Sequence, residues 1–527
     1  MAILFLGLLL RVGITARDPR IVDRLFIPDD TYYTLSIARS LAENHLPAAD
    51  GAYPTSGFQP LLAFLVAPMF VVSSDPDAPL IAALLLLSIV DIGTAFLLAR
   101  LARRWFNETA ALLAAASWSF SPIAISNALN GLETSLALCL QLAALLAWMR
   151  SRERPSAVQF ALTGICCGLA LLARVDSAFL VLGIGIAELA ALRIRKVTTI
   201  ALLAAAVVAP WWAYCAIHFG SVVPESGPAV VTLLESHKAL YLTIPKQVAW
   251  AVGTVFGSPY ADLKSLRHWL LIAPYWAFLL AALMLAGAAA LALRILRNCE
   301  DKTPFLVLAT HATAIVVLYS FFVPALWFFR RYLVVTGALA TLLFAGFVSI
   351  PWLRSQDHPF RRLSALGTLW ALIAIGASSS FVFLWHVPPG TVDQKFDGAK
   401  GYREVAKDVL AFVPAGSTVA ALQSGALSYF APAGITVVNL DGVVDRRAAQ
   451  AFRERRLSDY AFERGVTHIA DWRLNLREFM RMSSASRRAS FSVEMKGWAR
   501  PQGADRFFVG TVSWTEVAPV AQPGARP

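Results

Sequence analysis

Two adjacent carboxylates, Asp29 and Asp30, open the stretch DDTYYTLSIARSLAENH, and a third acid, Glu133, follows Gly131 in SNALNGLETSLALCL. Carboxylates brought together in this way suit two chemistries. They can hold a divalent cation (Mg, Mn or Ca) through oxygen ligands, or one of them can take the proton from a hydroxyl. Arginines accompany the acids: Arg174 with Asp176 in LLARVDSAF, and Arg330-Arg331-Tyr332 after the aromatic run Trp327, Phe328, Phe329. A guanidinium pairs bidentately with phosphate, so arginines at a membrane surface suit a phosphate anchored in the bilayer. Each group also has a plainer use. An acid at a helix start caps free N–H groups and complements the helix dipole. Arginines beside aromatics can snorkel at the interface, and Arg174 with Asp176 reads equally as a structural ion pair.

Other chemistries find little support. The eight histidines are scattered without metal-ligand spacing, His218 included. Cys139, Cys166, Cys167, Cys215 and Cys299 form neither a disulfide framework nor a CxxC zinc site. With no Walker motif, no GxSxG and no dinucleotide fingerprint before a helix, no nucleotide cofactor is indicated.

The elements that must position these groups are read from composition. Of 527 residues, 57% are hydrophobic and 15% charged, and the mean hydropathy is +0.60. Such a chain belongs in a membrane. Apolar runs at about 1–16, 79–99, 109–126, 133–149, 157–173, 177–192, 197–217, 270–293, 303–323, 332–352 and 363–386 predict about eleven transmembrane helices. The run Gln59 to Val72, about 14 residues, is too short to span and is expected in the interface or against the bundle.

Charge then sets the topology. The connections holding Arg100, Arg103 and Arg104; Arg150, Arg152 and Arg154; Arg193, Arg195 and Lys196; Arg294, Arg297 and Lys302; and Arg354, Arg361 and Arg362 are short and basic, the mark of cytoplasmic loops. The net charge of +12 is thereby spent on topology, and nucleic acid is not an expected partner. The long connections 17–78 and 218–269 fall on the opposite, external side, and so do Asp29, Asp30, Glu133, Arg174 and Arg331. Ionisable groups at span ends are costly and mark function unless they snorkel. In the first external loop, Tyr32, Leu35 and Ile37 to Leu41 are expected to face apolar matter, with Ser36, Arg39 and Glu43 more solvated.

The chain therefore divides into a transmembrane module, 1–389, and an external domain, 390–527. In the second part YREVAKDVLAFV and RAAQAFRERRLSDYAFERG read as helices, while STVAAL, ITVVNL, VTHIAD and RFFVGTVSW read as strands. That alternation predicts a soluble α/β domain with a partly parallel sheet. Asp441, just past a strand in NLDGVVD, occupies a position where such sheets bind ligands and equally a simple Asp-Gly turn.

Taken in order, DDTYYTLSIARSLAENH with PTSGFQPLLAF, SPIAISNALNGLETSLAL, GLALLARVDSAFL, APWWAYCAIHFGSVVPESG, RRYLVV and VVNLDGVVD resemble the GT-C superfamily of membrane glycosyltransferases. The likeness is to the bacterial relatives of protein O-mannosyltransferases and of the lipid A aminoarabinose transferase, and it covers most of the chain. The resemblance implies that Asp29 and Asp30 are the paired catalytic acids, with Asp29 favoured as general base. It implies that Glu133 assists a metal ion or the acceptor, and that Arg330 or Arg331, with Arg174, contacts the donor phosphate. Tyr33, Gln59, His218 and Glu225 are the expected substrate-positioning residues. Gln59 stands where relatives often carry His, and Glu225 where Asn is common. The implied donor is a polyprenyl-phosphate sugar and the implied acceptor a lipid, glycan or protein hydroxyl. The implied course is a single inverting displacement at the periplasmic face of a bacterial inner membrane, among membrane lipids. A transporter or flippase for a lipid-linked sugar is the rival reading of a multi-span bundle with buried charges.

Overall fold

The computed structural model describes residues 1–236, 301–323, 329–354, 401–484, 491–499 and 507–514. The spans expected at 270–293 and 363–386 and the external loop from 237 onward lie outside the described residues. Three described helices, Ala78–Trp105, Thr134–Glu153 and Ile194–Phe219, are long and apolar enough to cross a membrane by length and composition. Shorter apolar helices, including Ala2–Thr15, Ala157–Ala173 and Thr303–Val317, pack with them into a bundle. The run from Gln59 forms two short helices, Pro60–Val66 and Pro68–Val72. Leu62, Ala63 and Val66 bury against the core while Phe64, Leu65, Val71 and Val72 stay exposed.

A buried ion pair ties the first helix into this bundle. Arg11 donates from Nε and Nη2 to Asp91 at 3.1 and 2.5 Å, and from Nη1 to the carbonyl of Ser119 at 2.7 Å. Trp118 donates to the other Asp91 oxygen at 3.0 Å. Stranding either charge would cost about 3–5 kcal/mol, so the two must be kept or lost together.

Among the described residues, the basic connections around Arg104, Arg152 and Lys196 gather at one end. Glu188, fully buried, accepts from Trp148, Arg152 and Lys196 at 2.7, 3.1 and 3.0 Å, and Arg152 also reaches Asp301 at 2.8 Å. Arg104 pairs with Glu153 beside them. Glu133 and Arg174, at the other ends of the helices that these connections join, lie at the far end of the bundle.

That far end carries a five-stranded sheet in the order β2-β1-β3-β5-β4, where β1 is Thr418–Ala421, β2 Thr436–Asn439, β3 His468–Trp472, β4 Phe491–Ala499 and β5 Phe507–Trp514. Strand β1 runs parallel to β2 and β3, while β5 runs antiparallel to β3 and β4. Alternation along the strands splits their side chains between two cores. Ala420, Val438 and Ile469 join Phe452, Tyr460 and Phe479 on one face. Val419, Ala421, Val437 and Ala470 join Phe26, Tyr32, Tyr33 and Leu35 of the loop 17–78 on the other. The sheet thus shares its inner core with the first long loop.

This shared core corrects the reading of helix Asp29–Asn44. Ser36, expected in solvent, is 3% exposed, and Arg39 is half-buried with its guanidinium on the short helix Gly425–Phe430. Only the end near Glu43 is exposed. A two-sided stripe cannot be read from a helix that is covered by a segment almost four hundred residues away. The expected single helical run after Arg446 is two helices, Arg446–Arg453 and Leu457–Glu463, parted at Arg455 with φ 57°.

Candidate functional site

Asp29 and Asp30 are consecutive in one helix, so their side chains leave it about 100° apart. They serve different neighbours. Both oxygens of Asp29 accept main-chain N–H groups at the start of helix Gly425–Phe430, from Gly425 at 2.9 Å and Ala426 at 2.8 Å. Asp30 faces the bundle, where Arg331 donates to its Oδ2 at 2.8 Å. Its side chain is 26% exposed, which leaves the carboxylate open to a small approaching group, while that of Arg331 is 11% exposed.

Glu133 sits at the start of helix Thr134–Glu153 without capping it. It pairs instead with Arg174, Nη1 to Oε1 at 2.9 Å. Arg174 is fully spoken for: it also binds Asp176 at 2.5 Å and donates to the Tyr319 hydroxyl at 2.9 Å, and Tyr319 in turn donates to Asp176 at 2.7 Å. Tyr319 stacks on Tyr332 with ring centroids 4.4 Å apart and planes within 5°. The guanidiniums of Arg174 and Arg331 lie 5.1 and 5.0 Å from the Tyr332 ring centroid, so that one tyrosine ring is shared by the two cations. Behind this group, Gln141, Arg174, Asp176, His311 and Tyr332 line a small cavity.

The turn that presents Glu133 is fitted to the acid helix. Thr31 donates to the Asn130 carbonyl at 2.5 Å. Gly131 adopts φ 71°, and a Cβ there would stand 2.4 Å from the Thr31 side chain. Only glycine meets both demands.

The structure therefore brings Asp30, Glu133, Arg174 and Arg331 together. Arg330 belongs to the helix Phe329–Tyr332, and its side chain lies outside the described residues. Tyr33 turns away from this group. Its hydroxyl accepts from Ser424 N and Asn439 Nδ2, both at 3.0 Å, within the sheet. Gln59 precedes helix Pro60–Val66, and its chain neighbour Phe58 packs on Trp211. His218 is exposed and packs on Tyr214 at 4.3 Å. Glu225 pairs with Arg446 at 3.6 Å. Among the described residues none of these four hydrogen-bonds to the Asp30–Arg331 pair. Tyr319 is the neighbour of Arg174 and Asp176 that sequence reasoning missed; an isolated tyrosine in an apolar run carries no signal of its partners.

The donor set also bears on a metal ion. Asp29 is spent on two N–H groups, Asp30 on Arg331 and Glu133 on Arg174. Among the described residues no three His, Cys, Asp or Glu side chains gather as a ligand group. A divalent cation held jointly by Asp29, Asp30 and Glu133 does not fit this arrangement, because their carboxylates face different partners.

Buried acids line the seam between the loop and the sheet. Burial pushes Asp29 up to about 7 against the pull of the Ala426 and Gly425 N–H groups. Burial likewise lifts Asp23, which accepts from Tyr32 and the Arg403 N–H, and Asp471, each to about 7. Asp441 forms the turn after β2, accepting from Val443 N at 2.8 Å. Burial, with the nearby charges of Asp30 and Asp29, raises it well above the usual carboxylate range.

The sign of the pH dependence follows. An acid whose folded pKa exceeds its unfolded value of 3.8 contributes stability that is complete below 3.8 and lost as pH rises through about 7. Amide exchange of residues 29–44 should therefore be slower at pH 5 than at pH 8 after correction for the intrinsic rate. Asp29→Asn should flatten part of that slope; an unaltered slope would remove Asp29 as a contributor.

Residues 56–214 match the family model described as dolichyl-phosphate-mannose-protein mannosyltransferase. Residues 394–508 match a domain of unknown function, DUF8728. No curated protein matches the sequence. In fold the chain is similar to ArnT from Cupriavidus metallidurans bound to undecaprenyl phosphate, at TM-score 0.56 and 12% identity over 97% of this chain and 96% of that one. It is also similar to the Archaeoglobus fulgidus oligosaccharyltransferase tethered with an acceptor peptide, at TM-score 0.52 and 14% identity over 96% of this chain and 73% of that one.

Proposed function

We propose that this membrane protein, which has the fold of the GT-C glycosyltransferases, moves a sugar from a polyprenyl-phosphate donor to an acceptor hydroxyl at the external face of a bacterial plasma membrane. The observation that carries the reading is the Asp30–Arg331 pair: a partly open carboxylate on a guanidinium, held at one end of an apolar bundle. The five short basic connections support placing the opposite end in the cytoplasm.

Asp30 is the general base in this reading, in place of Asp29, whose two oxygens are occupied by main-chain donors. Asp30 takes the proton of the acceptor hydroxyl as that oxygen attacks the anomeric carbon. The bond from that carbon to phosphate oxygen breaks on the opposite face, and the electron pair leaves with the lipid phosphate, inverting the centre. Arg331 meets the charge that develops on the departing phosphate. A phosphate on Arg331 competes with Asp30 for the same guanidinium, so donor binding frees the carboxylate to act as base. Arg174 holds Glu133 and Asp176 in place and its charge is already balanced, so it buttresses the site and does not touch the donor. The undecaprenyl phosphate of the ArnT structure is a lipid phosphate of the class assigned here to the leaving group. Hexosyl and pentosyl donors both suit the pair, as do lipid, glycan and peptide acceptors.

The test is a panel of polyprenyl-phosphate sugars (mannosyl, arabinofuranosyl, galacturonosyl and aminoarabinosyl) offered to the purified protein in nanodiscs. One donor should be consumed with release of free polyprenyl phosphate, and a chelator should leave the rate unchanged. Movement of intact donor across vesicles with no cleavage would overturn the assignment in favour of transport.

A further inference from the structure

We propose that the C-terminal sheet, whose sequence matches a domain of unknown function, is the clamp that aims helix Asp29–Asn44, so that Asp29, Tyr33 and Arg39 are positioning residues for Asp30. The inference rests on the assignment of Asp30 as base.

The clamp is built along one helix. Gly425–Phe430 lies against the acid helix and is gripped at both ends. Asp29 accepts the N–H groups of Gly425 and Ala426 at its start, at 2.9 and 2.8 Å. Arg39 donates to the carbonyls of Ser428 and Tyr429 at its finish, at 3.2 and 3.0 Å. The Arg39 charge faces the carbonyl end of the peptide dipole, the end that favours a cation. The ten helical steps from Asp29 to Arg39 rise about 15 Å, enough to span the six residues of the gripped helix, about 9 Å long. Between the two ends, Tyr33 bonds to Ser424 and Asn439.

The fit is also tight. A Cβ at Gly425 would stand 2.3 Å from the Asp29 carbonyl oxygen, so any side chain there drives the helices apart. On the bundle side, the described hydrogen bonds of the helix's first turn are those of Thr31 and Asp30. Tyr32, Leu35, Ile37 and Ala38 share one core with Leu84 and Leu87 of the bundle and with the sheet, so the polar grip of Gly425–Phe430 is what fixes the direction of the first turn within that packing. Since Asp30 is the next residue after Asp29, a tilt that breaks the grip swings the base away from Arg331, and an ångström of displacement at a reacting group can cost about a hundredfold in rate.

The experiment uses the full chain in nanodiscs carrying Gly425→Val, Arg39→Ala or Arg39→Lys. Turnover and amide exchange are followed in parallel. Gly425→Val and Arg39→Ala should lower kcat at least thirtyfold while donor KM stays within threefold. Exchange over 29–44 and 425–430 should quicken at least tenfold, with helix Thr134–Glu153 unchanged. Arg39→Lys, which keeps a donor at the carbonyls, should recover part of kcat. Should Gly425→Val fail to fold, Arg39→Ala, placed at the rim of the contact, decides. Faster exchange at 29–44 with kcat within twofold of the parent would overturn the proposal, and so would unchanged exchange in both variants. The exchange arm needs no turnover. If the parent transfers no sugar, the assignment of Asp30 fails on its own, and the grip is still tested.

Discussion

Asp30→Asn should reduce sugar transfer by about 10²–10⁴-fold, the range that general-base catalysis ordinarily contributes, without lowering the thermal unfolding midpoint. The substitution keeps shape and a hydrogen-bond acceptor for Arg331 and removes only the capacity to take a proton. Donor KM should move little, because the acid is assigned to the acceptor. Single-turnover measurement of polyprenyl-phosphate release, beside an unfolding curve, separates the two effects. Transfer within threefold of the parent would remove Asp30 from the chemistry. Asp29→Asn makes the contrast: an amide can still accept one N–H but turns its NH₂ toward the other donor, so the grip on Gly425 and Ala426 loosens. Its deficit should be smaller and accompanied by faster exchange in the helix.

Arg331→Ala is expected to cost about 10²–10³-fold in kcat/KM for the donor, the loss seen when one preorganised donor to a developing oxyanion is removed. Arg331→Lys should restore part of it, since an ammonium keeps the charge but not the planar fork. Arg174→Ala should behave differently although both arginines border the Tyr332 ring. It strands Glu133 and Asp176, whose side chains are 11% and 4% exposed, beside one another. Leaving buried carboxylates without the cation that pairs them destabilises by about 3–5 kcal/mol, so its effect should appear in the unfolding midpoint more than in donor KM. If Arg174→Ala instead raised donor KM while leaving stability intact, the roles of the two arginines would have to be exchanged.

Much of this arrangement could be anticipated from residue types. Charges at the mouths of apolar runs are expensive, so Asp29, Asp30, Glu133, Arg174, Arg330 and Arg331 stood out against their surroundings. The GT-C fold was legible from ordered motifs spread along the chain. Partners were harder to see. Asp29 and Gly425 are 396 residues apart, and nothing in the pair Asp29-Asp30 says which acid turns toward the bundle. The short segment GALSYF has neither the length nor the periodicity to announce a helix, yet it decides what happens to Asp29, Tyr33 and Arg39. Tyr319 was invisible for the same reason: its value lies in bonds to Arg174 and Asp176, which no local pattern encodes.

The split between the two acids has an evolutionary corollary. Two identical letters side by side look like one motif under one constraint, but here they answer to separate masters. Across related chains the first should vary in step with the segment corresponding to Ser424–Ala426, and be dispensable where that segment is missing. The second should track the arginine that opens the span beginning near Val334, whatever happens to the rest of the tail.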